Sequence, residues 1–162
     1  MKRWPRKNKL VALGALVACI SIAAVGSVAV ATPSGGTSTS TTIGDGDTVN
    51  TVNINVDPTK LRTKDSVEVF QVSNTGEPGF TSGWHMHTGP VIVNVTAGAL
   101  TFYEADCSAT TVTAPGAYIE TTAQPILARN EGTVQAAWIT TEIIPVGASK
   151  RVDVTPGFCG VS

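Results

Sequence analysis

The stretch that decides the fold is residues 79–98, GFTSGWHMHTGPVIVNVTAG. It contains both histidines of the chain, His85 and His87, followed by valines at alternate positions. On a β-strand, side chains at positions i and i+2 face the same side, about 7 Å apart. Two imidazoles on one face can share a metal ion or form a polar patch in a cavity. An HxH triplet alone is weak support for a site, so the sequence around it has to decide.

The rest of the chain outside the N-terminus also has a period of two. Val52–Val56 alternates apolar and polar residues, and Val67–Val72 nearly does so. Later apolar runs are separated by turn clusters such as Asn74–Gly79, Thr96–Gly98 and Ala114–Gly116. About eight short strands spaced by turns are typical of an antiparallel sandwich or barrel. The predicted fold class is therefore all-β, a small antiparallel β-barrel or jelly roll.

The frame around the histidine pair resembles the first sequence motif of the cupin family. Gly79 is followed by five residues, His85-x-His87, and Gly98 eleven residues later. The family motif reads Gly, five residues, His-x-His, three or four residues, Glu, six residues, Gly.

The resemblance extends to the second cupin motif. Pro115–Tyr118 resembles its opening turn and strand, and Ala128–Gly132 resembles its close, which ends on an Asn. Residues of about 52 to 160 are similar to small exported bacterial single-domain cupins. This resemblance implies a cupin-like barrel over residues 52–162.

Two positions depart from the pattern of metal-binding cupins. That pattern holds the ion with the two histidines, the Glu of the first motif and a His in the second. Val91 occupies the Glu position, and Ile126 occupies the position of the second-motif His. Two neutral imidazoles alone do not make a tight site for a divalent ion, because such sites usually have three or four protein ligands.

Glu120 is the candidate for a substitute third ligand. It shares strand parity with Tyr118. A carboxylate there would complete a two-histidine, one-carboxylate site with His85 and His87, suited to iron(II) or manganese. The alternative is that Glu120 lies in solvent at a strand end, where most glutamates are found. The expected cofactor is at most a weakly bound divalent ion: manganese, iron, nickel or zinc.

The N-terminus is predicted to be an export signal. Five cations lie within the first nine residues, and residues 10–31 are apolar, ending on Ala29-Val30-Ala31. This pattern indicates a signal peptide over residues 1–31. An uncleaved membrane anchor is the main rival, because 22 apolar residues can cross a bilayer, and a lipoprotein signal at Cys19 ranks third. Residues 32–51, rich in Ser, Thr and Gly, are predicted to be a flexible linker.

Charge and cysteine content agree with export. Without residues 1–31 the chain has six cations and twelve acids, a net charge of −6. With no basic excess and 6% aromatic residues, a nucleic-acid-binding surface is not expected. Cys107 and Cys159 are then the only cysteines, and an even count in an oxidising compartment predicts a disulfide between them.

Two functions follow from this sequence. The first is an exported, secreted or surface-anchored module that binds a small molecule, or has a structural role, around a remnant two-histidine site without catalysis. The second is a metal-dependent dioxygenase or isomerase that uses His85, His87 and a substitute ligand. The missing Glu and His favour the first. Trp84 and Trp138 could wall a ligand cavity, although aromatic residues in a small barrel are more often core.

Overall fold

The computed structural model describes residues 34–121, 124–155 and 158–161. The predicted signal peptide or anchor, residues 1–31, lies outside the described residues. Within the described residues no helix is long and apolar enough to span a membrane. The strands are β1 (Ser38–Asp47), β2 (Asn53–Val56), β3 (Thr59–Arg62), β4 (Val67–Gly76), β5 (His85–Met86), β6 (Val91–Ala97), β7 (Ala99–Glu104), β8 (Ala109–Thr113), β9 (Gly116–Glu120), β10 (Ile126–Arg129), β11 (Ala136–Pro145) and β12 (Val152–Asp153).

Ten of these strands form two five-stranded sheets. The first has the order β1-β4-β11-β6-β9 and the second the order β12-β5-β10-β7-β8. Every pairing is antiparallel. Strands β2 and β3 form a separate hairpin. The chain alternates between the sheets, so this is an all-β jelly roll, and the fold class is confirmed.

The inner faces of the two sheets form the core. Strand β6 contributes alternate valines that are buried, while Asn94 on the opposite face is exposed. This is the period-two pattern of a strand with one face in the core. Facing it lie Leu100 and Phe102 of β7, which are also buried. Phe102 stacks on Tyr118 of β9, with ring centroids 4.2 Å apart.

The prediction of a flexible linker over residues 32–51 is wrong for its central part. Strand β1 pairs with β4 from Ser38↔Gly76 to Asp47↔Glu68, with one irregularity between Thr42 and Gly44. The composition favours a linker because the segment has almost nothing to bury. It is nevertheless ordered, because the backbone of β4 offers an unpaired sheet edge whose hydrogen bonds it can satisfy.

The C-terminal segment, defined here as residues 149–155 and 158–161, packs along β5. Strand β12 pairs Val152 with Met86 and Asp153 with His85. A disulfide joins Cys159 to Cys107, as the cysteine count predicts, with the two Cα atoms 5.4 Å apart. It ties the end of the chain to the turn between β7 and β8. The strand that carries the histidines is thus held between β10 and this segment.

Candidate metal centre and central cavity

The two histidines meet inside the barrel. His85 is 4% exposed. Its Nε2 lies 3.1 Å from Nε2 of His87. The two rings are nearly perpendicular, with centroids 4.9 Å apart. The HxH spacing, which begins on β5, therefore places both imidazoles on one face, as the sequence predicts.

The outer nitrogen of each imidazole is held by a backbone carbonyl. Nδ1 of His85 lies 2.8 Å from the oxygen of Gly83. Nδ1 of His87 lies 2.7 Å from the oxygen of Lys150, in the C-terminal segment. A carbonyl only accepts hydrogen bonds, so each Nδ1 is the protonated nitrogen. The two Nε2 atoms are thereby turned inward and are available as metal ligands. In metal-binding histidines the other ring nitrogen commonly donates to a carbonyl or carboxylate in this way.

Glu120 is the third member of this cluster. Its side chain is buried at the end of β9, with 5% of the residue exposed, so the expectation of a solvent position is excluded. Oε2 lies 3.1 Å from Nε2 of His87. No hydrogen-bond partner is found for that oxygen among the described residues, and its contact with Nε2 is an ion pair when His87 is protonated.

The sheet register explains how Glu120 replaces the absent motif carboxylate. Val91, which stands where metal-binding cupins carry Glu, is buried and directly opposite Glu120 on β9. On its other side, Val91 is opposite Glu142 of β11. Both strands neighbouring position 91 therefore present a buried carboxylate at the same level of the sheet.

Glu142 is the residue that sequence reasoning missed. Its Oε2 lies 3.5 Å from Nδ1 of His87, on the side of the ring away from the cluster. This oxygen is buried and has no hydrogen-bond partner among the described residues. Parity along β11 puts Glu142 on the same face as Trp138 and Thr140, but only the pairing with β6 shows that it flanks Val91. One sequence gives no such register.

The same surroundings drive the two histidine pKa values apart. Burial, together with the smaller effect of the nearby Arg151 guanidinium, lowers the pKa of His85 to about 3. Burial also lowers the pKa of His87, but the carboxylates of Glu120 and Glu142 outweigh it and raise that pKa to about 9. Without a metal, the raised pKa favours the charged imidazolium form of His87, which lies between the two carboxylates.

The residues present fit a divalent metal ion. Two Nε2 atoms and one carboxylate oxygen lie within 4.8 Å of one another. Each of these atoms offers an electron pair to the space between them. Three such donors so close together are stabilised by a cation, either a proton or a metal ion. The nitrogen and oxygen donors suit iron, manganese, nickel or zinc rather than a soft ion. The position of the second-motif histidine is apolar because it is occupied by Ile126. This residue pairs with His85 across the sheet.

The cluster lies at one end of a cavity of about 320 Å³ between the two sheets. Trp138 lines this cavity and packs against Phe80, with ring centroids 5.2 Å apart. Trp84 is fully buried, packs on Phe158 of the C-terminal segment and is not among the residues that line the cavity. The two tryptophans thus have different roles, one lining the cavity and one in the core.

The fold and the cluster together define a cupin-like jelly roll with a histidine–histidine–carboxylate cluster. Among solved structures, the chain is similar to a cupin-like protein from Thermotoga maritima, with 17% identity over 54% of this chain and 65% of that one, TM-score 0.48. It is similar to a protein with a double-stranded β-helix domain from Klebsiella pneumoniae, with 19% identity over 67% and 82%, TM-score 0.48. It is also similar to an oxalate oxidase in complex with glycolate, with 18% identity over 53% and 46%, TM-score 0.47.

The chain spans less than two thirds of the length of the Thermotoga protein and of the oxalate oxidase. No protein-family model and no curated protein matches it. The fold assignment rests on the strand pairings of this chain, and its function has to be argued from its own residues.

Proposed function

We propose that this protein is an exported metal-binding jelly roll that holds a small molecule in its central cavity. The observation that carries the proposal is the convergence of His85 Nε2, His87 Nε2 and Glu120 Oε2, with both Nδ1 atoms turned to backbone carbonyls. A bound divalent ion would act there as a Lewis acid toward an oxygen atom of the ligand. The disulfide between Cys107 and Cys159 supports the exported location.

The chain's own residues would prepare the site. The carbonyls of Gly83 and Lys150 fix the two imidazoles, so little reorganisation is needed when the cation binds. Metal binding would displace the proton from His87, and Glu120 would then neutralise part of the ion's charge. Burial of His85 and Glu120 lowers the local dielectric constant, which would strengthen electrostatic contacts with the ion.

Metal content of tag-free protein tests the proposal. The wild-type chain should retain about one divalent ion after dialysis, whereas His85→Ala and Glu120→Gln should bind it at least tenfold more weakly, as expected for loss of a ligand. Glu131→Gln is the matched control, because that carboxylate lies outside the cluster and accepts a hydrogen bond from Tyr103. Elemental analysis that finds no metal in the wild type, or equal metal in all four proteins, contradicts the proposal.

A metal-dependent enzyme is the second candidate. The observation that favours it is the donor set itself, since two histidines and one carboxylate with further positions open are the ligands of non-haem iron(II) oxygenases. Oxygen uptake by the iron-loaded protein in the presence of small organic substrates, abolished in His85→Ala, would support this candidate. Metal binding without any such uptake leaves the binding role as the function.

A further inference from the structure

The central cavity has two chemically different walls. On β4 and β11, Asn74 and Thr140 line it together with Trp138. From the second sheet, Leu100 and Phe102 line it, and both are fully buried. The side formed by β4 and β11 therefore offers hydrogen-bonding groups, while the part of the second sheet formed by β7 is apolar.

Strand β1 extends the polar wall to the cavity mouth. Ser40 lies opposite Asn74, which in turn lies opposite Trp138. The hydroxyl of Ser40 donates to the side-chain oxygen of Asn74 over 2.7 Å. Each hydroxyl and amide on this wall still has lone pairs or hydrogens for a ligand. The segment whose composition suggests a linker thus supplies part of a binding surface.

Glu142 gives this cavity an unsatisfied acceptor. Its residue is 7% exposed, its side chain lines the cavity, and its Oε2 has no hydrogen-bond partner among the described residues. His87 Nδ1, at 3.5 Å, donates to Lys150 instead. A buried acceptor without a donor is costly, so this oxygen favours a ligand that brings a hydroxyl or amine hydrogen.

Apart from the cluster of His85, His87 and Glu120, the side chains that line the cavity do not favour an anion. Arg151 is the one cationic Lys or Arg side chain among the described lining residues. Its Nε lies 2.5 Å from Oδ1 of Asp153, and its Nη2 donates to the oxygen of Ser82. Its charge is therefore already compensated, whereas the carboxylate of Glu142 would repel an anionic group beside it.

We propose that the ligand is a neutral, ring-sized polyol: a sugar or cyclitol with hydroxyls along one edge and C–H groups on its face. Its hydroxyls would donate to Glu142 and bond Thr140 and Asn74, while its C–H face would lie against Leu100 and Phe102. A volume of about 320 Å³ is at the small end of ligand pockets and fits a single ring. The inference rests on the proposed function for placing the binding site in this cavity, but none of the contacts it names is a metal ligand.

The experiment measures binding of uncharged and charged rings of the same size to the purified full chain. Calorimetry and tryptophan fluorescence, to which Trp138 in the cavity contributes, are run with glucose, mannose and myo-inositol, and with glucuronate and benzoate as anionic probes. At least one neutral ring should bind saturably and more tightly than glucuronate. Saturable binding of no neutral ring, or tighter binding of the anions, overturns the proposal.

Two substitutions among the residues that line the cavity locate the site. Thr140→Val should weaken polyol binding about fivefold, because one neutral hydrogen bond is lost. Glu142→Gln should weaken it about tenfold, because a charge-assisted acceptor is replaced by a neutral one. The exposed Glu131→Gln should bind like the wild type. Equal affinity in all four proteins overturns the proposed site.

Metal content measured in the same preparations separates the two proposals. Thr140→Val should keep the wild-type metal content, since Thr140 is outside the cluster of ligand atoms. Glu142→Gln is expected to change it, because this carboxylate contacts the ring of His87. A wild-type protein that binds a polyol without any metal removes the proposed metal function and leaves this inference standing. A wild-type protein that binds metal and no neutral ring overturns the polyol inference and leaves the proposed metal function standing.

Discussion

At the scale of single residues, the neighbours of His85 and His87 shift the pKa values of these two side chains in opposite directions. The Lys150 carbonyl and the carboxylates of Glu120 and Glu142 surround His87 with acceptors, whereas His85 faces a carbonyl and lies near Arg151. Two identical side chains two positions apart therefore have very different pKa values. The HxH motif shows that the rings face one side but says nothing about this difference.

This difference predicts how the stability of the metal-free protein depends on pH. The raised pKa of His87, about 9, contributes stability that is fully present below pH 6.5 and is lost as the pH rises toward 9. The lowered pKa of His85, about 3, contributes stability that is present above pH 6.5 and is lost as the pH falls toward 3. With a chelator present, the melting temperature should therefore be highest near pH 6.5.

Calorimetry across this pH range checks the prediction. In His87→Gln the loss of melting temperature between pH 6.5 and 9 should disappear, while the loss on the acid side remains. His85→Gln should show the opposite pattern. A wild-type melting temperature that stays constant from pH 6.5 to 9 would show that His87 does not hold the extra proton.

At the scale of elements, the C-terminal segment determines where β5 lies. Besides the Lys150 carbonyl, the backbone of Val154 donates to the oxygen of Trp84, and the Trp84 indole donates to the oxygen of Val161. A strand of only two residues has little pairing of its own. Its position depends on these contacts and on the disulfide that anchors them.

Replacing both cysteines should loosen this segment. In Cys107→Ser/Cys159→Ser, closure of a loop with a sequence separation of 52 is lost, and the chain-entropy model puts this at about 4 kcal/mol of unfolding free energy. Trp84 fluorescence should shift to the red as Phe158 leaves it. Denaturant titration with and without reductant measures both effects. A reductant that does not change wild-type stability would contradict the prediction.

Gly89 shows why a close approach between elements needs glycine. A Cβ at this position would lie 1.9 Å from the backbone oxygen of Ile143 in β11, far inside contact distance. The turn that leads from His87 into β6 therefore rests directly on β11. The sequence marks a Gly-Pro turn here, but only the packing of two distant strands explains why the residue has no side chain.

At the scale of the whole molecule, the domain begins earlier than its composition indicates. Strand β1 covers the edge of β4 along ten residues and supplies Ser38 and Ser40 to the cavity. A protein beginning at residue 52, the predicted domain boundary, exposes that edge.

A truncated protein tests the domain boundary. Compared with a chain that begins at residue 34, one that begins at residue 52 should melt at a lower temperature and self-associate, because an uncovered sheet edge pairs with other chains. Calorimetry and size-exclusion chromatography make the comparison. Equal melting temperatures and a monomeric truncated protein would show that β1 is dispensable.

The sequence by itself determines the strands and the partners that lie close along the chain. Alternation in Val91–Val95 marks a strand with one buried face, the HxH spacing puts two imidazoles on one side, and the cysteine count gives the disulfide. The first two features depend only on the two-residue period of a strand, and the third depends only on there being two cysteines to pair. Both kinds of information are present in a single sequence.

Tertiary structure alone decides what lies across the sheet. That Glu120 and Glu142 flank Val91, that the Lys150 carbonyl holds His87, and that β1 closes an edge are all consequences of register between strands far apart in the chain. Register follows from the packing of two whole sheets, so the composition of one segment does not contain it. For this reason, the sequence shows a valine at position 91, while the structure places Glu120 of the neighbouring strand directly opposite it.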